Sequence, residues 1–262
     1  MRKKIVAGNW KMNLLYAEAL ALVDGVIDGF DESGTCEIIL APPSLYIHGI
    51  LGRIQKCPQI SLASQNCSEH AKGAFTGELS AAMLASVGAE YVLIGHSERR
   101  ALYKETDSQI AGKISRAVEN SLLPIFCCGE TLEQRNAGLH KSTVESQLKN
   151  GLFHLNEKII RDCIIAYEPV WAIGTGVNAT SAQAQEMHAF IRQLIREKYS
   201  DQVAQEIPVL YGGSVNSNNA TELFGCEDVD GGLVGGASLK AKEFNQIIAS
   251  MNAFLKHNLV KN

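Results

Sequence analysis

A (β/α)8 barrel is the fold this sequence predicts, and three observations predict it. Short apolar runs rich in β-branched residues recur eight times, beginning near Ile5, Ile38, Ile60, Tyr91, Pro124, Cys163, Pro208 and Gly232. Their starts lie 22 to 45 residues apart, which suits a strand and its return helix at roughly 30 residues per unit. The length of 262 residues is that of a whole barrel, and no linker, low-complexity tract or composition break divides it. A doubly wound open sheet is the competing architecture for alternating strands and helices. Length, unit number and uniform composition favour the barrel, with residues 1–262 forming one domain.

The segments between the runs carry helical spacing. Tyr16, Leu20, Val23, Ile27 and Phe30 follow one another by fours and threes, as do Phe244, Ile247, Met251 and Leu255 with Ile248 beside them. Helix starts are marked by Thr106 with Gln109, Thr131 with Gln134 and Thr180 with Gln183, each at capping-box spacing.

Composition narrows the function classes. The formal net charge of −4 lacks the basic excess that nucleic-acid or membrane-surface binding normally needs. No apolar run is long enough to span a bilayer. Met1-Arg2-Lys3-Lys4 begins like a signal peptide, but Ile5-Val6-Ala7 gives way at once to Gly8-Asn9-Trp10-Lys11 and no apolar core develops. The seven cysteines form no C-x-x-C pair and the seven histidines are never three or four apart. Reduced, buried thiols, no metal, no cofactor and a cytoplasmic setting are the expectation.

In either architecture chemistry sits just past the carboxyl ends of the strands. After the first run come Asn9 and Lys11, a hydrogen-bonding amide and a cation suited to an anionic substrate. The fourth delivers Gly95-His96-Ser97-Glu98. A histidine at a strand end before a short helix feels the helix dipole, which disfavours imidazolium and leaves a neutral hydrogen-bond donor. The sixth delivers Glu168 between Tyr167 and Pro169, a poorly solvated carboxylate suited to general-base work. Gly174-Thr175-Gly176 follows, fit for a loop that changes its backbone angles or for amides that approach an anion. Tyr211-Gly212-Gly213-Ser214 and Gly235-Gly236-Ala237-Ser238 then place two glycine clusters at adjacent strand ends, the arrangement of a phosphate-binding nest.

Other patterns fail on context. Gly174-Thr-Gly176-Val-Asn-Ala179 has dinucleotide-binding spacing but trails the sixth strand instead of opening a helix directly after a first one. Gly95-His-Ser97-Glu-Arg99 and Gly212-Gly-Ser214-Val-Asn216 lack the closing glycine of a nucleophile elbow.

Taken in order, Asn9-Trp10-Lys11-Met12-Asn13, Ile94 to Arg100, Ala166 to Gly176, Tyr211 to Val215 and Leu233 to Leu239 resemble the triosephosphate isomerase family from the first strand to the eighth. The resemblance implies interconversion of glyceraldehyde 3-phosphate and dihydroxyacetone phosphate. It makes Glu168 the base and His96 the electrophile that polarises the carbonyl. Asn9 and Lys11 would bind substrate, and Gly174, Ser214, Gly235 and Gly236 would hold its phosphate. Glu98 and Cys127 match positions that support the site. Pro169 to Gly176 is the candidate lid over a reactive enediolate. Val177-Asn178 and Ser181-Ala182 depart from the family's usual residues at the trailing hinge and the helix after it.

Gln65 to Glu78 is a fourteen-residue connection after the third strand, long for a compact domain. In the resembled family it inserts into a neighbouring subunit with Thr76 approaching the partner's site, which implies a homodimer. A Schiff-base aldolase on a phosphate-binding barrel would need a desolvated lysine inside the barrel. The sixth strand ends in Glu168 instead, and Lys11 lies in a loop. A non-catalytic sugar-phosphate-binding barrel would not need His96 and Glu168 together.

Overall fold

The computed structural model describes residues 2–31, 34–173 and 179–259. Eight parallel strands, β1 (Ile5–Asn9), β2 (Glu37–Ala41), β3 (Ile60–Ser64), β4 (Tyr91–Ile94), β5 (Leu123–Cys128), β6 (Ile164–Tyr167), β7 (Val209–Tyr211) and β8 (Gly231–Val234), pair in chain order and close into a barrel. Val6 stands opposite Ile38 on one side and Gly232 on the other, so the first strand joins the second to the last. Each strand begins within one residue of the start read from the apolar pattern.

The strands are apolar on both faces because both are covered. Ile5, Ile39, Leu93, Ile125 and Leu210 point into the barrel, while their neighbours Val6, Ile38, Val92, Phe126 and Val209 pack against the helices. The three capping boxes form: Thr106 opens Asp107–Glu119, Thr131 opens Leu132–Asn136, and Thr180 opens Ser181–Lys198. In the last helix, Ala241–Leu259, the expected stripe is buried from Phe244 to Leu255. The first helix differs. Tyr16–Gly29 buries Ala19, Leu22, Val23 and Val26, and Leu20 and Ile27 are only partly covered. Small residues explain the rotation, since a Cβ on Gly25 would come within 2.9 Å of the Ala241 Cβ where this helix meets the last one.

At the amino-terminal end of the barrel Asp230, fully buried, gathers Arg2 Nε at 2.7 Å, Lys4 Nζ at 2.8 Å and Arg192 Nη2 at 2.8 Å, and accepts from Val209 N at 3.0 Å. Burial alone would raise its pKa, but Lys4, Arg192 and Arg2 together hold it below the usual carboxylate range. All seven cysteines are free thiols. Burial pushes Cys36, Cys67 and Cys163 up to about 12 and Cys127 and Cys128 up as well, which makes these thiols unreactive. Among the described residues no helix is long and apolar enough to cross a membrane.

Candidate active site

The carboxyl ends of the strands bring together residues from five of the sequence segments singled out above. Asn9 ends β1 and is buried; its Oδ1 accepts from Lys11 N at 3.0 Å. That contact, and Gln65 Nε2 donating to Lys11 O at 2.8 Å, hold Lys11 at a φ of 54°, a left-handed conformation unusual for a side chain with a Cβ. Lys11 Nζ then reaches Glu98 Oε1 at 2.5 Å.

His96 follows β4 across Gly95, whose φ of 78° makes the turn. Arg100 secures that turn by donating to Gly95 O at 2.8 Å. The histidine caps the helix Ser97–Leu102, with Nδ1 accepting from Glu98 N at 3.3 Å. An acceptor role for Nδ1 places the ring proton on Nε2. Nε2 lies 2.9 Å from Glu168 Oε1, an ion-pair distance without an aligned hydrogen bond.

Glu168 is only 1% exposed. Its backbone N donates to Cys128 O at 2.7 Å, extending the β5–β6 ladder by one residue, and its Oε2 accepts from Ser97 N at 2.8 Å. Beyond it Pro169 ends strand pairing and the chain turns through Val170–Ala172. Trp171 Nε1 donates to Oε1 of buried Glu130 at 2.9 Å, and Tyr167 OH donates to the same carboxylate. The base of the candidate lid is thus tied to the end of β5.

Acceptance of the Glu98 N–H at Nδ1 requires a neutral ring, while the surroundings pull the pKa of His96 in both directions. Burial and Lys11 lower its pKa as the dipole argument anticipates, but the facing carboxylates of Glu168 and Glu98 outweigh them and raise it above the ordinary value. Glu168 comes to rest against the ring through a contact between the segments that follow β4 and β6.

A cavity of about 320 Å³ joins these groups to the glycine clusters. Asn9, Lys11, His96 and Glu168 border it together with Gly213, Ser214, Gly235 and Gly236. Open space surrounds Gly236, where a Cβ would meet nothing within 4 Å. Two cations, Lys11 and Lys240, face the same space, and Ile173 and Leu233 supply apolar wall. The chemistry this permits is recognition of a small anion at the glycines, with an acid–base pair lining the same cavity. Among the described residues no group of three His, Cys, Asp or Glu could hold a metal ion.

Of the site residues expected from sequence, Asn9, Lys11, His96, Glu168, Ser214, Gly235 and Gly236 share this cavity; Gly174 lies outside the described residues, as does the 174–178 part of the candidate lid and hinge. Sequence reasoning missed Lys240, although it stands two residues after Ser238 of the glycine cluster, a spacing that could have signalled it. It also missed the backbone N–H of Ser97 as the group that holds Glu168, which no side-chain pattern could reveal.

The comparisons with known proteins agree along the whole barrel. The family model described as triosephosphate isomerase matches residues 4–251. Triosephosphate isomerase of Chloroherpeton thalassium is 50% identical over 251 residues, covering 95% of this chain and 99% of the relative. That of Porphyromonas gingivalis is 51% identical over 251 residues with the same coverage, and that of Cytophaga hutchinsonii 48% over 252, covering 95% of this chain and all of its own. With its barrel, its paired His96 and Glu168 and its glycine-lined cavity, the chain belongs to the triosephosphate isomerase family.

Proposed function

We propose that the chain interconverts D-glyceraldehyde 3-phosphate and dihydroxyacetone phosphate in glycolysis and gluconeogenesis, with Glu168 as base and His96 as electrophile. The observation that carries this reading is the 2.9 Å approach of Glu168 to His96 in a cavity that the glycine clusters also line. The phosphate sits against the amides of Gly174, Ser214, Gly235 and Gly236, which places the carbonyl and its neighbouring carbon between the acid and the base. Glu168 leaves Ser97, turns into the cavity and removes a proton from the carbon beside the carbonyl. The C–H electrons form the C=C bond of the enediolate, and the carbonyl electrons move onto oxygen. His96 Nε2–H, with Asn9 and Lys11, stabilises that developing charge. His96 passes the hydroxyl proton from one enediolate oxygen to the other, and Glu168 returns its proton to the adjacent carbon as the C=C electrons close the new C–H bond and the new carbonyl forms. Once Glu168 holds the proton its charge is gone, and burial, Lys11 and the helix dipole then favour neutral imidazole.

We also propose that the protein works in the cytoplasm, as a single domain and as a homodimer. Residues 71–79 of the long connection are exposed, and Met12, Leu45, Leu102 and Tyr103 expose apolar surface. Met12, Leu102 and Tyr103 border a second cavity of about 710 Å³ that reaches Asn9, Lys11 and His96. A second copy's connection, with Thr76 at its tip, suits that opening.

A coupled assay on glyceraldehyde 3-phosphate in the presence of EDTA, run beside Glu168→Gln, tests the chemistry. Fast turnover abolished in the variant is expected, and turnover that persists in Glu168→Gln removes the base assignment. Sedimentation at working concentration tests the assembly, and the mass of one chain would refute it.

A further inference from the structure

Ser97 holds the carboxylate of Glu168, while the backbone beneath that carboxylate is held by a residue the reaction does not touch. The β5–β6 pairing ends at Cys128 opposite Tyr167, with Cys128 O receiving Glu168 N one step further on. At Gly129, the next residue, a side chain takes over the ladder. Gly129 N donates to Gln147 Oε1 at 2.8 Å, and Gln147 Nε2 donates to Gly129 O at 3.0 Å. The amide of Gln147 thus acts as a replacement peptide group, satisfying both polar atoms of Gly129. Its helix, His140–Gly151, is seated by buried Val144, Leu148 and Gly151, so the clamp is anchored to the outer layer of the barrel.

Gly129 in turn bears on Glu168. A Cβ built on Gly129 would lie 1.7 Å from the Glu168 carbonyl oxygen, so the two backbones are in direct contact. One residue on, Val170 N donates to Glu130 O at 3.0 Å, which couples the two segments a second time. Behind them Gln147, Arg100 and Cys128 border a cavity of about 220 Å³ that also reaches Glu168 and Ser97. Space is therefore at hand for the 129–130 segment to shift if the clamp is lost.

We propose that Gln147 is a positioning residue for Glu168: its two-sided hold on the Gly129 peptide sets where Glu168 leaves β6, and so how far its carboxylate reaches toward the substrate carbon. The proposal rests on Glu168 being the base. Because that reading assigns the phosphate to Ser214, Gly235 and Gly236 and not to Glu168, loss of the clamp is expected in kcat and not in KM.

Two substitutions test it. Gln147→Met keeps the length and removes both hydrogen bonds. Gln147→Glu restores both only when its carboxyl is protonated, since the acid form can donate to Gly129 O while accepting from Gly129 N. For Gln147→Met, kcat should fall by roughly 10- to 100-fold, the range expected when a reacting group moves by up to about 1 Å. KM should stay within about twofold, and the isotope effect on substrate deuterated at the transferred position should rise. Gln147→Glu should match Gln147→Met at pH 8.5, and its kcat relative to wild type at the same pH should climb toward pH 6. Unchanged kcat in Gln147→Met, or a loss with an unaltered isotope effect, would overturn the proposal. If Gln147→Met fails to fold, a flat relative pH profile for Gln147→Glu overturns it instead. Glu168→Gln in the same assay separates the two readings. Turnover there removes the base itself, whereas its absence alongside an unimpaired Gln147→Met removes only the clamp.

Discussion

The two ends of this barrel each bury a carboxylate, Asp230 below and Glu168 above, at 0% and 1% exposure. Asp230 is surrounded by three cations and a backbone N–H. Glu168 has one backbone N–H and the edge of an imidazole. The lower group is saturated, holds its charge and ties β8 to the chain's first residues and to the helix Ser181–Lys198. The upper group is under-coordinated, with Oε1 lacking a hydrogen-bond partner. The same eight strands thus surround one carboxylate with cations and leave the other with an oxygen free to meet a substrate. The difference lies in how many donors reach each group, since Glu130, buried at the same end as Glu168, receives Tyr167, Trp171 and Arg135.

Asp230→Ala tests this contrast hardest. It leaves Arg192 and Lys4 buried without their shared anion and should lower stability by about 3–5 kcal/mol. Chemical denaturation measures that loss, and kcat of the folded fraction should remain near wild type. A large fall in kcat would show that the ends are not independent. Glu168→Asp should do the reverse, retaining the melting temperature while losing on the order of 10²-fold in rate, because the carboxylate retreats by roughly 1 Å. Wild-type turnover would deny Glu168 its role.

His188 gives a third probe, lying between the upper tyrosines and Asp228 O beside the lower cluster. It is fully buried beside Tyr167 and Tyr211, and burial lowers its pKa to about 4 from 6.5. Below pH 6.5 the unfolded chain takes up a proton that the folded chain refuses until about pH 4, so stability falls with pH through that window. Between pH 7.5 and 5 this one group should remove about 2 kcal/mol, and urea unfolding of His188→Gln across that range should show a shallower slope. An unchanged slope would assign acid sensitivity elsewhere. The smallest effect is expected for Thr131→Ala, which removes a helix cap at about 1 kcal/mol and should register in thermal melting while sparing catalysis.

The strands were legible because burial on two faces demands unbroken apolar runs. The upper end was legible because Asn9, His96 and Glu168 interrupt those runs where they stop. The packing stripe of Tyr16–Gly29 was less so, since Gly25 and Ala241 lie far apart in the chain and their close approach rotates the helix. The Gln147–Gly129 clamp, the rest of Glu168 against His96 and the place of Lys240 in the cavity were invisible for a related reason. Each depends on a contact between distant segments, and local periodicity carries no record of it.

Gly129 has a consequence for how such a protein can change. The hydrogen that stands where other residues carry a side chain lets the segment after β5 lie against the backbone of Glu168, while the glycines of the phosphate cavity lie on other strands. One added carbon, as in Gly129→Ala, should displace the base and leave the glycine clusters of β7 and β8 whole. A variant that still binds inorganic phosphate yet has lost turnover would then be a sugar-phosphate receptor. The evolutionary distance between an isomerase and a receptor on this scaffold would be a single methyl group.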